Sequence, residues 1–136
     1  MYPTKEEILA TKPRFKHGTT LITNMWKFSR IKNWKTKEYW MKIDELAILI
    51  QVLSALHLKK EPQIILSNKY ACDIKGRKIY LDIDNPSIIS TLHETAHYLF
   101  GENELTACRW SIWLFKECFP KSFEKLEFKE HLLIKK

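Results

Sequence analysis

Glycine is scarce in this chain, three residues in 136, and proline is not much commoner, at five. No repeat, low-complexity run or linker marks a second domain, so one domain over residues 1–136 is expected. The three cysteines, Cys72, Cys108 and Cys118, are odd in number and widely spaced. They make neither a disulfide framework nor a paired-thiol zinc site, and they read as small core residues of a reducing compartment. No apolar run is long enough to cross a bilayer. The opening residues, Met1-Tyr2-Pro3-Thr4-Lys5-Glu6-Glu7, are charged where a secretory signal needs its apolar stretch. The expected address is therefore cytoplasmic, with no membrane partner.

What is present is an ordinary globular composition, 45% apolar and 29% charged, with enough Trp, Tyr and Phe to build a core and exclude a disordered chain. Lys and Arg exceed Asp and Glu by 23 to 16, for a formal charge of +7. Much of the excess lies in Trp26-Lys27-Phe28-Ser29-Arg30-Ile31-Lys32-Asn33-Trp34-Lys35. Basic residues interleaved with aromatics suit nucleic acid, by phosphate pairing and base stacking. They suit equally an amphipathic segment with its aromatics turned to the core and its lysines in water. The second reading is preferred, because a modest charge excess says little about a specific partner.

Thr4-Lys5-Glu6-Glu7 has the spacing of a capping box and predicts a short helix that stops before Pro13. A short strand is expected near Thr20 to Thr23. A long helix is expected from about Thr36 to Leu58, where Trp40, Ile43, Leu46, Ala47, Ile50 and Leu53 recur at helical spacing. Its apolar second half suggests that it lies against a sheet. Residues 63–67, 71–74 and 78–83 read as strands, with a turn at Lys75-Gly76-Arg77, in a small and mostly antiparallel sheet. Asp84-Asn85-Pro86-Ser87 reads as a helix start, a polar cap followed by Pro. Helices then run from Ser87 to Phe100, closed by Gly101, and from Glu104 to Phe119, closed by Pro120. The core spans about residues 36–120, and 121–136 is a basic tail. The fold class is α+β.

The chemistry lies in His93-Glu94-Thr95-Ala96-His97. On a helix, two histidines four residues apart share one face, so both imidazoles reach one metal ion at about 2.0–2.1 Å. Glu94 points to the side of that pair, where it can take a proton from water on the metal instead of ligating it. Zinc lowers the pKa of such water to about 7. Chance gives the pattern in a chain like this with odds on the order of one in a hundred. The flanks sharpen it: Ser87 to Leu92 and Tyr98 to Phe100 are uncharged, and a glutamate in so apolar a helix is costly to bury without partners. A catalytic zinc takes three protein ligands. Glu104, opening the next helix, is the better candidate for the third, ahead of Glu102 in the turn and His131 in the tail. His17 and His57 have no partner spacing. Arg109, Tyr98 and His131 are the candidates for stabilising an oxyanion.

At these residues the chain resembles the zincin zinc metallopeptidases, in the branch whose third ligand is a glutamate on the following helix. Glu104-Leu105-Thr106-Ala107 is similar to that branch's Glu-x-x-Ala second motif. The order long helix, small sheet, motif helix, ligand helix resembles minimal ImmA/IrrE-type and SprT-like intracellular peptidases. The resemblance implies His93, His97 and Glu104 as ligands of Zn2+ and Glu94 as general base, acting on a protein or peptide substrate. It further implies that the strand before the motif helix, Lys78 to Ile83, offers its edge to the substrate backbone. The interval from His97 to Glu104 is shorter than is usual in that branch, and no second domain accompanies it.

Overall fold

A computed structural model describes residues 2–14 and 38–135. The expected strand at Thr20–Thr23, the basic aromatic run Trp26–Lys35 and His17 lie outside the described residues. Helix α1 spans Lys5–Ala10, and its capping box is formed: the Thr4 hydroxyl accepts from the Glu7 N–H while the Glu7 carboxylate accepts from the Thr4 N–H. Helix α2 spans Tyr39–Leu56, with His57 as its C-cap. Three strands follow, β1 at Gln63–Ser67, β2 at Ala71–Asp73 and β3 at Lys78–Asp82. Helix α3, Ile88–Phe100, carries the His-Glu-His motif, and α4, Glu104–Cys118, follows it. The α+β class is as the sequence implies.

The sheet order is β1-β3-β2, with β2 antiparallel and β1 parallel to β3. The parallel pairing was not legible from the alternation, because a strand's own pattern does not name its neighbours. It also corrects the expected substrate edge. β3 is the central strand, bonded along Gln63–Ser67 on one side and Ala71–Asp73 on the other, so its backbone is not open over its length. Among the described residues β2 is an outer strand, and α3 packs beside it. In the turn between β2 and β3 the Asp73 side chain folds closely over Gly76. The Asp73 carboxylate accepts from the Gly76 N–H at 2.9 Å, and a Cβ at 76 would meet Asp73 Oδ2 at 2.3 Å.

β3 shows the half-buried alternation read from its sequence: Ile79 and Leu81 are fully buried, between partly exposed Lys78, Tyr80 and Asp82. They join Leu46, Leu49, Ile50 and Leu53 of α2 with Leu92, Ala96, Trp110 and Leu114 of the last two helices in one core. α2 packs on α3 while sharing that core with β3. Leu53→Ala removes a fully buried side chain that belongs to the core and offers no metal donor. It is expected to cost about 2–5 kcal/mol in denaturant unfolding without changing metal content.

The tail is not loose. Pro120 ends α4 and occupies the first turn of a short helix α5, Pro120–Glu124, where its missing N–H costs nothing. Strands β4, Leu126–Lys129, and β5, Leu132–Lys135, then pair as an antiparallel hairpin. Phe123, Phe128 and Leu133 pack with Ile8, Cys108 and Ile112 in a second cluster. α1 is fastened there by Arg109, whose Nε and Nη2 donate to the Glu7 carbonyl at 3.0 and 2.7 Å, and by Trp113 Nε1, which donates to the Ile8 carbonyl. These donors satisfy carbonyls that a helix end leaves without partners. No described helix is long and apolar enough to cross a membrane.

Candidate metal centre

The motif helix starts two residues later than a cap at Asn85 followed by Pro86 suggests. Ser87 is the cap, extended at φ −138° and ψ 124°, and its hydroxyl accepts from the Ser90 N–H at 3.2 Å. Pro86 precedes the cap instead of opening the helix. Tyr70 secures this entry: its hydroxyl donates to the Asn85 carbonyl at 2.6 Å and accepts from the Ser87 N–H at 2.8 Å. Burial pushes the Tyr70 phenol up to about 12, so it stays a neutral donor. Within the helix the buried hydroxyls of Thr91 and Thr95 donate to the carbonyls four residues back. That is how an uncharged helix buries polar side chains without orphaned donors.

Three residues separate α3 from α4. Gly101 makes the turn at φ 105° and ψ −165°, a backbone region open essentially only to glycine. Asn103 caps α4, its Oδ1 accepting from the Thr106 N–H, and Glu104 follows in the first turn, where the helix dipole favours a carboxylate. The buried small residues Ala107 and Ser111 continue its side of the helix, and α3 and α4 pack against each other.

This short connection brings Glu104 to both histidines. Glu104 Oε1 lies 2.7 Å from His93 Nε2, and Oε2 lies 3.1 Å from His97 Nε2. The two rings meet edge to face with centroids 4.8 Å apart. One ligand atom from each of His93, Glu94 and His97 falls within 4.8 Å of the others. Glu102 is exposed in the turn and belongs to neither group of donors that could hold a metal.

No protein-family model matches the chain, and neither a curated protein nor a solved structure does. The geometry therefore has to speak for the site.

The protonation pattern around His97 is the most informative part of it. His97 Nδ1 is 2.9 Å from the Gly101 carbonyl, which only accepts, so Nδ1 carries the hydrogen. A neutral His97 then has a lone pair at Nε2, and that lone pair faces the Glu104 carboxylate. Two acceptors 3.1 Å apart need a proton or a cation between them. A metal ion among His93 Nε2, His97 Nε2 and Glu104 supplies one. With bonds of 2.0–2.1 Å, ligand atoms around a tetrahedral ion are about 3.3 Å apart, so the 2.7 and 3.1 Å contacts need open only by a few tenths of an ångström. Among the described residues, His93, Glu94 and His97 form one group positioned to hold a metal ion, and His93, Glu104 and Cys108 form another. Gly101 thus serves the site as an orienting carbonyl as well as a helix stop. A Cβ there meets nothing within 4 Å, so Gly101→Ala acts through backbone strain alone. By turning that carbonyl away from His97 it is expected to weaken metal affinity by roughly 10–100-fold, measured by competition with a chelator.

Electrostatics agree with metal-ready side chains. Burial holds the His93 imidazole below its ordinary value, against the pull of Glu104, so its neutral form is favoured. Burial raises the Glu94 carboxyl, with His97 lowering and Glu104 raising it further. Glu94 is 8% exposed, a buried carboxylate with a weakened hold on its charge. A carboxyl raised in the folded state binds more protons there than when unfolded, so its ionisation destabilises the fold as pH rises through that interval. In the metal-free protein Glu94→Gln removes this penalty. The variant is expected to unfold at higher denaturant than wild type at pH 7, with the difference vanishing below the ordinary glutamate range, near pH 4.

Two of the three oxyanion candidates are committed elsewhere. Arg109 holds the Glu7 carbonyl, and the Tyr98 hydroxyl donates to the Lys60 carbonyl. His131 sits in the β4–β5 turn, stacked on Tyr2 with ring centroids 4.1 Å apart, and its buried Nδ1 has no hydrogen-bond partner among the described residues. His57 packs edge-on against Phe100 and Trp110 at the end of α2 and belongs to neither donor group found among the described residues.

Sequence reasoning passed over one residue here. Cys108 is buried as expected, yet its Sγ lies 3.8 Å from Glu104 Oε1 and 3.9 Å from His93 Nδ1. Burial and the Glu104 carboxylate push its thiol up to about 12. The signal was the spacing, since Cys108 stands four residues after Glu104 on the same helix face.

Proposed function

We propose that the chain is a zinc metallopeptidase in which His93, His97 and Glu104 hold the metal and Glu94 is the general base. The observation that carries this reading is the convergence of two imidazole Nε2 atoms and one carboxylate, with His97 oriented by the Gly101 carbonyl and a buried glutamate alongside. Two nitrogens and one oxygen suit zinc better than calcium or magnesium, which prefer all-oxygen shells. Three protein ligands leave the fourth position open, as catalytic rather than structural sites do.

His93, His97 and Glu104 would hold the zinc ion, which would supply Lewis-acid polarisation of the scissile carbonyl and a bound water with its pKa lowered to about 7. Glu94 takes the proton of the attacking water and returns it to the leaving amine. Its burial suits both steps, because a carboxylate raised toward neutrality accepts a proton readily and keeps it long enough to give it up. His93 and His97 serve as neutral ligands. Tyr70, the Ser87 cap and Gly101 fix both ends of the helix that carries them. The substrate is a protein or peptide, and β2 takes the place of β3 as the strand whose outer edge lies beside the motif helix.

The test is hydrolysis of a quenched fluorescent peptide library by zinc-loaded protein, beside a metal-stripped sample. Cleavage that is lost on stripping and restored by stoichiometric zinc supports the reading. A fully zinc-loaded protein that cleaves no member of the library, nor a denatured protein substrate, counts against it.

A further inference from the structure

His93 has a donor on each side of its ring, and the structure gives each a different neighbourhood. Nε2 faces Glu104 and the His97 side of the site. Nδ1 faces Cys108 Sγ at 3.9 Å, and that sulfur lies 3.8 Å from Glu104 Oε1. Ligand atoms from His93, Glu104 and Cys108 all fall within 4.8 Å of one another, a second group that includes a thiol and leaves out His97. Around a tetrahedral ion with about 2.3 Å to sulfur and 2.0–2.1 Å to nitrogen or oxygen, the sulfur–nitrogen and sulfur–oxygen edges are about 3.5 Å. The two sulfur edges need close by only a few tenths of an ångström, less for a larger ion, while the Glu104 carboxylate has to turn from Nε2 toward Nδ1, since one ion binds only one nitrogen of the ring.

We propose that His93, Glu104 and Cys108 form a second coordination mode of this centre, selective for thiophilic ions such as cadmium, which releases His97. The Cys108 sulfur is a soft ligand, so it favours a soft ion over zinc, whereas the two imidazoles and the carboxylate favour zinc. The entering ion displaces the thiol proton to solvent. Glu104 Oε1 is common to both modes, so they compete and the centre holds one ion at a time. Cys108 is 1% exposed, walled by Ile8 and Ile112, which keeps the sulfur at its post and shields it from other thiols. The mode concerns metal binding alone and stands or falls apart from the peptidase reading.

The test is titration of zinc-loaded protein with cadmium, reading metal content and the ultraviolet absorption of a cadmium–thiolate bond. Wild type is expected to exchange one for one with that absorption appearing. The double variant Cys72→Ser/Cys118→Ser, whose only thiol is Cys108, retains it. Cys108→Ser loses it, and its preference for cadmium over zinc falls at least tenfold. His97→Ala weakens zinc binding yet keeps the cadmium absorption, because His97 is not in this set. Absence of the band in wild type or in the double variant overturns the proposal. So does its survival in Cys108→Ser, its loss in His97→Ala, or uptake of two ions per chain.

Discussion

Glu94→Gln is expected to lower kcat/KM for peptide hydrolysis by roughly 10²–10⁴-fold, the scale of general acid–base catalysis, while zinc content stays at the wild-type level. The substitution keeps the shape of the side chain and removes only its capacity to accept and return a proton. Glu94 is not needed as a ligand if Glu104 completes the set, so the metal should remain. The same variant is expected to be the more stable protein at pH 7 when metal-free, since burial disfavours the Glu94 charge. A residue whose replacement stabilises the fold and abolishes activity is one retained for chemistry. The measurement is steady-state hydrolysis beside elemental analysis of the same sample. Full activity with zinc bound would refute the role given to Glu94.

The second large effect is at Glu104. Glu104→Ala removes the one carboxylate that, among the described residues, is paired with both imidazoles. Zinc affinity is expected to fall by more than the roughly 10–100-fold that outer-shell partners cost. Stability should follow by linkage. At free zinc a thousand times the dissociation constant, binding contributes about 4 kcal/mol. For a chain of this size that corresponds to roughly 10 °C or more in Tm. Wild type should therefore lose about that much on chelation, and Glu104→Ala should be nearly indifferent to it. Glu102→Ala, on an exposed turn residue outside both donor groups, should behave as wild type. A chelation-sensitive Glu104→Ala protein beside a chelation-insensitive Glu102→Ala protein would reverse the assignment.

Helix periodicity and capping residues carried most of the fold's legibility. Thr4, Gly101 and Pro120 each mark an element end where their chemistry says one should be. β3 alternates as its sequence does. Strand partnership was not legible, because a strand's own alternation does not name its neighbours, and β3 lies between β1 and β2 in the sheet. The cap at Ser87 was missed because Asn85-Pro86 offers the commoner signal, and Tyr70, seventeen residues upstream of Ser87, overrides it through two hydrogen bonds. The tail read as basic and irregular because Lys residues outnumber the apolar ones that pack, Phe123, Phe128 and Leu133.

Of the site, the approach of Glu104 to both histidines was legible, since it follows from helical spacing across a short turn. The fates of Arg109 and Tyr98 were not. Their partners, the Glu7 and Lys60 carbonyls, are 102 and 38 residues away in the chain, and no local pattern records such contacts. Cys108 was legible in principle as the fourth residue after Glu104, but a lone buried cysteine looks the same whether or not a metal site stands beside it.

The account rests on one metal ion held by His93, His97 and Glu104. The most direct measurement is elemental analysis of protein exchanged against excess chelator and reloaded with limiting zinc, wild type beside His93→Ala, His97→Ala and Glu104→Ala. One zinc per chain in wild type, and far less in all three variants, is the expected result. Wild type that takes up no zinc while remaining folded, or variants that hold it as tightly as wild type, would contradict it.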